Sequence, residues 1–324
     1  MTTTMKAIIH TRYGQPEVAQ LMKVSKPSPK DDEVLVKVHA TTVNRTDCGF
    51  RSAEYFVSRL FSGLFRPRDK TLGCEFSGIV EAIGRQVSSF QVGDKIVGYN
   101  DARFGAHAEY MTTPEKSAIT IMPSNLTFQE AASLCEGAHY ALCNIKAAKV
   151  KSGDKVIIYG ATGAIGSAAV QLSKYFGLHV TAVCATKYVP LIQSLGADKV
   201  IDYTKEDFTQ TPGTFDFIFD AVGKSSFAQC KNLLHPKGVY ISTELGKRGA
   251  NIFLALTTPL MGGKKVLFPI PTIHKEDVVF LKTLAEEGHF KPVIDREYPL
   301  EDIVAAYKYV ETGQKIGNVV ITVV

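Results

Sequence analysis

An α/β fold in two domains, one a doubly wound parallel sheet and the other β-rich and barrel-like, is what the sequence predicts. Three observations lead there. Up to about residue 120 the chain reads as short alternating apolar runs broken by glycine turns. From Asp154 onward, apolar runs of five or six residues alternate with helix-length segments, the pattern of parallel strands covered by helices. The 324 residues are about twice the length of a common domain. With 45% hydrophobic and 21% charged residues, 26 Gly and 14 Pro, the composition excludes disordered, collagenous and coiled-coil chains.

In the first half, Val34, Val36 and Val38 share one face of an extended run from Glu33 to His39, and Lys37 and His39 take the other. Gly73 to Gly84 carries Phe76, Ile79, Val80 and Ile83 among glycines, and Gly93-Asp94 opens a further run, Lys95 to Val97. Together these predict a small barrel of antiparallel strands. In the second half the expected parallel strands are Val156 to Tyr159, His179 to Cys184, Lys199 to Ile201, Phe215 to Phe219 and Val239 to Ser242. Between the first two, Ile165, Ala169, Leu172 and Phe176 recur at helical spacing and Gly177 follows as a left-handed stop. Near the end, Glu276 to Glu287 predicts a helix burying Val279, Leu281 and Leu284, and Asn318 to Val324 a strand that returns to the N-terminal half.

The net charge of +5 is spread without any block of like charges, so nucleic acid is not implied. No stretch approaches 18 uninterrupted apolar residues, and the first ten residues lack the apolar core of a signal peptide, so neither membrane insertion nor secretion is expected. Six cysteines without a CxxC pair suit reduced thiols, and the expected location is the cytoplasm.

Lys155 to Gly166 reads as a strand, a glycine-rich turn and a helix start, KVIIYGATGAIG. In that context Gly160, Ala161, Thr162, Gly163, Ala164 and Ile165 form a candidate dinucleotide cradle. Gly163 lets backbone approach a pyrophosphate, Gly166 lets helix and strand pack closely, and the helix amides hold the phosphate charge. Ala161 stands where the common fingerprint has its first glycine. A carboxylate about 20 residues further on would grip the adenosine ribose of NAD, yet Lys155 to Ala197 contains no Asp or Glu. The second strand ends instead in Thr186 and Lys187, a hydroxyl and an ammonium suited to a 2′-phosphate, which points to NADP(H). The alternative reading of Lys187 is an ordinary solvated lysine. The turns Ala221-Val222-Gly223 and Thr243-Glu244-Leu245 follow the fourth and fifth strands, at the ends where such sheets bind ligands.

The order of these motifs, with SLGADKVIDY, FDFIFDAVG and FKPVIDREYPLEDIVAAYKYVETGQKIGNVVITV, resembles the medium-chain dehydrogenase/reductase superfamily over nearly the whole chain. Within it the sequence is most similar to the zinc-independent quinone oxidoreductases. The resemblance implies a GroES-like catalytic domain from residues 1–127 and 272–324, a Rossmann NADP(H)-binding domain from 128–271, and a cleft where they meet. It also implies further cofactor contacts at Phe268, Ile270, Tyr203 and Asn318. The stretch Ile252 to Leu260 with Lys264 to Phe268 resembles the region through which such cofactor domains pair, and implies a homodimer.

Zinc-dependent relatives hold the metal with three ligands around an open position. By resemblance, Asn44 stands where they carry a cysteine, Cys74 where they carry a histidine, and Cys135 where some keep a cysteine. An amide oxygen is a poor zinc ligand, so no metal is expected. Cys74 and Cys135 then read as packing, and His107 and His139 as ordinary polar or packed histidines. For catalysis the candidates are Asn44, an un-ionised donor near the nicotinamide, and Tyr55, spaced from Asn44 like the proton-donating tyrosine of similar enoyl reductases. Asn44 also reads as a turn-stabilising residue, and Tyr55 as a core or rim tyrosine. Tyr55, Phe56, Phe61 and Phe65, with Tyr99 and Phe104, read as an apolar substrate mouth or as core.

The function expected is hydride transfer from NADPH to a quinone or an activated carbonyl or enone. The alternatives are a zinc-dependent alcohol dehydrogenase using Cys74 and Cys135, and a non-catalytic dinucleotide-binding regulatory protein.

Overall fold

The computed structural model describes residues 3–54 and 59–324, the side chain of Phe61 excepted; Tyr55 and Phe56 lie outside the described residues. The chain forms two compact units, Met1–Glu136 with Ile273–Val324, and Gly137–Thr272. In the first unit β1 (Thr4–Ile9) and β2 (Gln20–Ser25) make an antiparallel ribbon. β3 (Glu33–Val43) is the trunk of a larger sheet. Its Val34, Val36 and Val38 are fully buried and Lys37 and His39 half-buried, the alternation of a strand with one face on the core. β3 runs on past His39 and so delivers Asn44 at its end. β4 (Glu75–Ile83) and β6 (Tyr110–Pro114) pair with β3, β5 (Lys95–Tyr99) with β4, and β7 (Ala118–Ile121) with β5, all antiparallel.

The second unit is built on β8 (Lys155–Tyr159), β9 (His179–Cys184), β10 (Lys199–Asp202), β11 (Phe215–Asp220), β12 (Leu234–Ser242) and β13 (Lys265–Leu267). They form a wholly parallel sheet in the order β10-β9-β8-β11-β12-β13. Val156, Ile157 and Ile158 of β8, and Phe217, Ile218 and Phe219 of β11, are all fully buried. Consecutive residues point to opposite faces, so these strands are covered on both sides. The order of strands reverses between β8 and β11, and the crevice at such a switch is where doubly wound sheets bind ligands.

The helix Ala164–Tyr175 follows β8 and stops before Gly177, whose φ of +76° is the expected left-handed conformation. Ala169 and Leu172 are buried, whereas Ile165 and Phe176 are only half-buried. Phe176 lies outside the last helical turn, as its C-cap, and so does not continue the apolar stripe.

The chain then returns to the first unit. Helix Lys275–Glu286 buries Val278, Leu281, Leu284 and Ala285, while Val279 is 41% exposed. The expected core position at Val279 is therefore corrected to Val278, which shares the i, i+3, i+7 stripe with Leu281 and Ala285. β14 (Ile294–Pro299) pairs parallel with β15 (Asn318–Thr322), and β15 pairs antiparallel with β3. The C-terminal strand thus completes the N-terminal sheet, which is antiparallel apart from its β14–β15 edge. Among the described residues no helix is long and apolar enough to cross a membrane.

Candidate functional site

In the second unit the turn after β8 is shaped by close contacts. Gly160 has φ +79°, and a Cβ there would come within 2.6 Å of Val222. A Cβ on Gly166 would meet the Gly160 carbonyl at 2.1 Å, so any larger residue would push the helix off the strand. Gly163 is the N-cap of Ala164–Tyr175, with φ −71° and nothing nearer its Cβ position than 3.9 Å. Its bareness therefore leaves room above the turn and relieves no backbone strain. Ala161 and Ala164 are buried, and Thr162 and Ile165 half-buried. The first helical turn carries no acidic side chain, so its amides present positive potential to that space.

Thr186 opens a short 3₁₀ turn just beyond β9. Its hydroxyl donates to the carboxylate of Asp202, the last residue of β10. Thr204 donates to the same carboxylate through its hydroxyl at 2.6 Å and its amide at 3.0 Å. The Thr186 and Thr204 hydroxyls hold the Asp202 carboxyl well below the usual carboxylate range. A carboxylate thus sits beside the expected 2′-phosphate residue, although none occurs in the intervening sequence. The parallel pairing of Asp202 with Cys184 brings it there, and that pairing was the signal to follow. Exposed Lys187 extends its ammonium over the Tyr188 ring at 4.7 Å.

Ala221 is buried, Val222 is partly exposed, and Gly223 takes φ +65°; they form the turn that follows β11. Thr243, after β12, donates its amide to the Asp220 carbonyl at 3.1 Å, which joins the two turns. Tyr203 is largely exposed after β10, Phe268 is half-buried after β13, and Ile270 is 82% exposed. On the helix Ala250–Thr257 and the turn after it, Phe253, Leu256, Leu260 and Met261 are between 67% and 87% exposed, with Ile252 at 44%. β13 is the edge strand on that side of the sheet.

In the first unit Asn44 caps the helix Arg45–Ser52. Its Oδ1 accepts the Asp47 amide at 2.9 Å, and Asp47 returns the bond to the Asn44 amide at 3.2 Å. Its Nδ2 donates to Cys74 Sγ at 3.0 Å and lies 3.5 Å from Thr42 Oγ1. Asn44 therefore has the turn-stabilising role, and of its two amide hydrogens the one toward Thr42 is held loosely. Around it lie the carboxyl groups of Asp47, Glu75 and Glu136, raised to about 7, 8 and 7, each chiefly by burial. Glu75 accepts from the Thr42 hydroxyl at 2.6 Å and the Glu136 amide at 2.8 Å, and Glu136 accepts from the Thr46 hydroxyl at 2.7 Å.

Cys74 and Cys135 are fully buried, and burial first, then neighbouring carboxylates, pushes both thiols well above their ordinary range. An amide whose hydrogen points at the Cys74 sulfur, beside two reluctant thiols, does not fit zinc, which needs deprotonated ligands. Among the described residues no group of three or more His, Cys, Asp or Glu side chains could hold a metal ion. His107 is buried, bonded through Nε2 to the Thr42 carbonyl at 2.8 Å and 3.4 Å from the Tyr307 hydroxyl. His139 is buried on the helix Glu136–Ala148. Asn318 is buried too, with its side-chain amide donating to Val293 at 3.0 Å.

Of the two readings of the aromatic set, mouth or core, Tyr99 and Phe104 take the core one. Tyr99 and Phe104 are buried, at 1% and 3% exposure, while Phe65 is 87% exposed. Tyr99 lies on β5, inside the sheet, and Phe104 packs its ring on Phe50 with centroids 4.8 Å apart. Tyr55 and Phe56 fall outside the described residues, as does the Phe61 side chain.

Comparison with known proteins bears on both units. Residues 30–124 match the family described as alcohol dehydrogenase GroES-like domain, and residues 195–321 the one described as zinc-binding dehydrogenase. The chain is similar to the 2-methylene-furan-3-one reductase of Solanum lycopersicum, 34% identical over 98% of this chain and 79% of that protein. It is 30% identical to the quinone oxidoreductase of Sus scrofa, over 94% of this chain and 93% of that one. Its fold is similar to that of the quinone oxidoreductase from Coxiella burnetii, with TM-score 0.88 and 28% identity, covering 99% of this chain and 100% of the other.

Proposed function

Because the chain belongs to the medium-chain dehydrogenase/reductase superfamily, in its quinone oxidoreductase-like group, we propose that it is an NADPH-dependent reductase of quinones or activated carbonyl and enone compounds. The observation that carries this reading is the glycine-rich turn at the reversal of strand order, with Gly160 closed against Val222 and open space above Gly163. When bound, NADPH supplies the hydride. The residues of this chain hold and orient. The first-turn amides of Ala164–Tyr175 take the pyrophosphate, and Lys187 takes the 2′-phosphate. The turns at Ala221–Gly223 and Thr243, with Tyr203, Phe268, Ile270 and Asn318, complete the cofactor contacts.

On the substrate side Asn44 donates its loosely held Nδ2 hydrogen to the oxygen that gains charge, with Tyr55 as a candidate proton donor. An acceptor that is already electron-poor needs no Lewis acid, so the reaction proceeds without a catalytic metal. The reading includes a homodimer formed through Ile252–Leu260 and the β13 edge, where large apolar side chains stand exposed. It also includes a cytoplasmic location, with which the six free thiols agree.

The test is NADPH consumption by the purified protein against a panel of quinones, enones, saturated ketones and alcohols. Turnover with quinones or enones is the expected result. Turnover confined to alcohols and lost on chelation would instead favour the zinc dehydrogenase. NADPH binding without turnover on any acceptor would favour the regulatory protein.

A further inference from the structure

Asp220 closes β11, and its carboxylate has no part in the chemistry above. It is fully buried. A buried carboxylate is costly unless its oxygens are satisfied, and here five donors converge on it. Oδ1 accepts the amides of Val222 at 3.2 Å and Lys224 at 3.3 Å. Oδ2 accepts the Ser225 amide at 2.8 Å, the Ser225 hydroxyl at 2.9 Å and the Tyr240 hydroxyl at 3.3 Å. Four of these donors belong to the turn that leaves β11, and the fifth comes from the neighbouring β12. One side chain therefore winds the next five residues around itself and ties them to the sheet.

The wound turn has a definite neighbour. Val222, held by its amide to Asp220, presses its methyl groups against the face of Gly160, where a Cβ would meet both of them at 2.6 Å. Gly223, next in the turn, lies so close to Glu244 that a Cβ would meet that side chain at 2.3 Å. The turn after β11 is thereby wedged between the glycine-rich turn and the turn after β12.

We propose that Asp220 is a positioning residue for the dinucleotide: it touches no ligand, but by fixing Val222 against Gly160 it sets the height and orientation of the glycine-rich turn. This rests on the reading that NADPH binds at that turn. Without the carboxylate the five donors lose their common acceptor, Val222 is released, and the phosphate-holding amides lose their backing.

The experiment uses the full chain. NADPH titration, steady-state kinetics with one quinone, and ligand-free melting temperature are measured for the wild type, Asp220→Asn and Ser225→Ala. Asn keeps the shape but turns a donor toward the Ser225 group, so NADPH affinity falls and its KM rises about tenfold, with kcat within about threefold. Ser225→Ala removes one donor of five and changes the KM by less than about twofold. If Asp220→Asn does not fold, the pair Ser225→Ala with Tyr240→Phe strips both hydroxyls from Oδ2 and raises the KM about threefold. A lowered melting temperature with unchanged NADPH affinity and KM overturns the inference, because a merely structural carboxylate would behave so. Wild-type protein that binds no NADPH overturns the cofactor reading instead.

Discussion

Thr186 gives its hydroxyl proton to Asp202 across the ends of β9 and β10. Toward any ligand its oxygen is then an acceptor. That suits a ribose hydroxyl better than a phosphate, whose oxygens at neutral pH are acceptors as well. Selection for a 2′-phosphate falls on Lys187, the cation of this turn. Replacing Lys187 with Ala is expected to weaken NADPH about tenfold, the ~1.4 kcal/mol of one charge-assisted contact, and to leave NADH nearly unchanged. Equal losses for both cofactors in a titration would show that Lys187 does not read the phosphate.

The same relationship predicts an unusual gain. Asp202→Asn removes a negative charge beside the phosphate position and frees the Thr186 hydroxyl to donate, and it releases Lys205, now 3.4 Å from that carboxylate. The ratio of NADPH to NADH affinity should rise about threefold or more. A fall in the ratio would mean that Asp202 supports phosphate binding by orienting its neighbours.

How much of this was legible along the chain depended on whether the deciding contact was local. β8 and β11 were plain because burial on both faces requires consecutive apolar residues, as at Val156–Ile158 and Phe217–Phe219, and Gly177 because it ends a helix on its own backbone preference. Val278 was missed in favour of Val279 because adjacent valines fit one helical stripe almost equally, and only packing against the rest of the first unit fixes the phase. Asp202 escaped notice because a count of about 20 residues along the chain stops short of it and ignores the sheet, in which its partner is Cys184. Asn44 could be read as a cap or as a donor; the capping bonds with Asp47 became visible only with the end of β3 in place.

Buried His107 gives a pH dependence of stability. Desolvation lowers its imidazole from 6.5 to about 4. Unfolded chains take up a proton near the higher value, which the folded state resists until the lower, so the contribution is complete above about 6.5 and is lost as pH falls toward 4. His107→Gln should keep the bond to the Thr42 carbonyl without titrating. Its melting temperature should therefore fall less steeply than that of the wild type between those pH values. Parallel curves would assign the acid sensitivity to other groups.

The apolar surface of the second unit predicts assembly. Phe253, Leu256, Leu260 and Met261 stand mostly in solvent, next to the unpaired edge of β13, and an exposed edge with such a flank is a template for pairing. Light scattering at micromolar concentration is expected to give twice the mass of one chain. Leu256→Asp, placing a charge in the patch, should shift the protein toward one chain's mass. A single-chain mass for the wild type would refute the dimer.

Removal of metal is expected to leave turnover intact, for reasons that reside in Asn44 and Cys74. Zinc needs thiolates or imidazoles to balance its charge, whereas here the Asn44 amide donates to the Cys74 sulfur at 3.0 Å and burial holds that thiol protonated. Prolonged chelation should therefore not reduce quinone-dependent NADPH consumption, and Cys135→Ser should retain most of it. Asn44→Ala separates two effects: loss of the helix cap lowers stability by about 1 kcal/mol, and loss of the donor lowers kcat with little change in the KM for NADPH. If chelation abolishes turnover and added zinc restores it, Cys74 and Cys135 are ligands, and the hydrogen bond from Asn44 must give way when the metal enters.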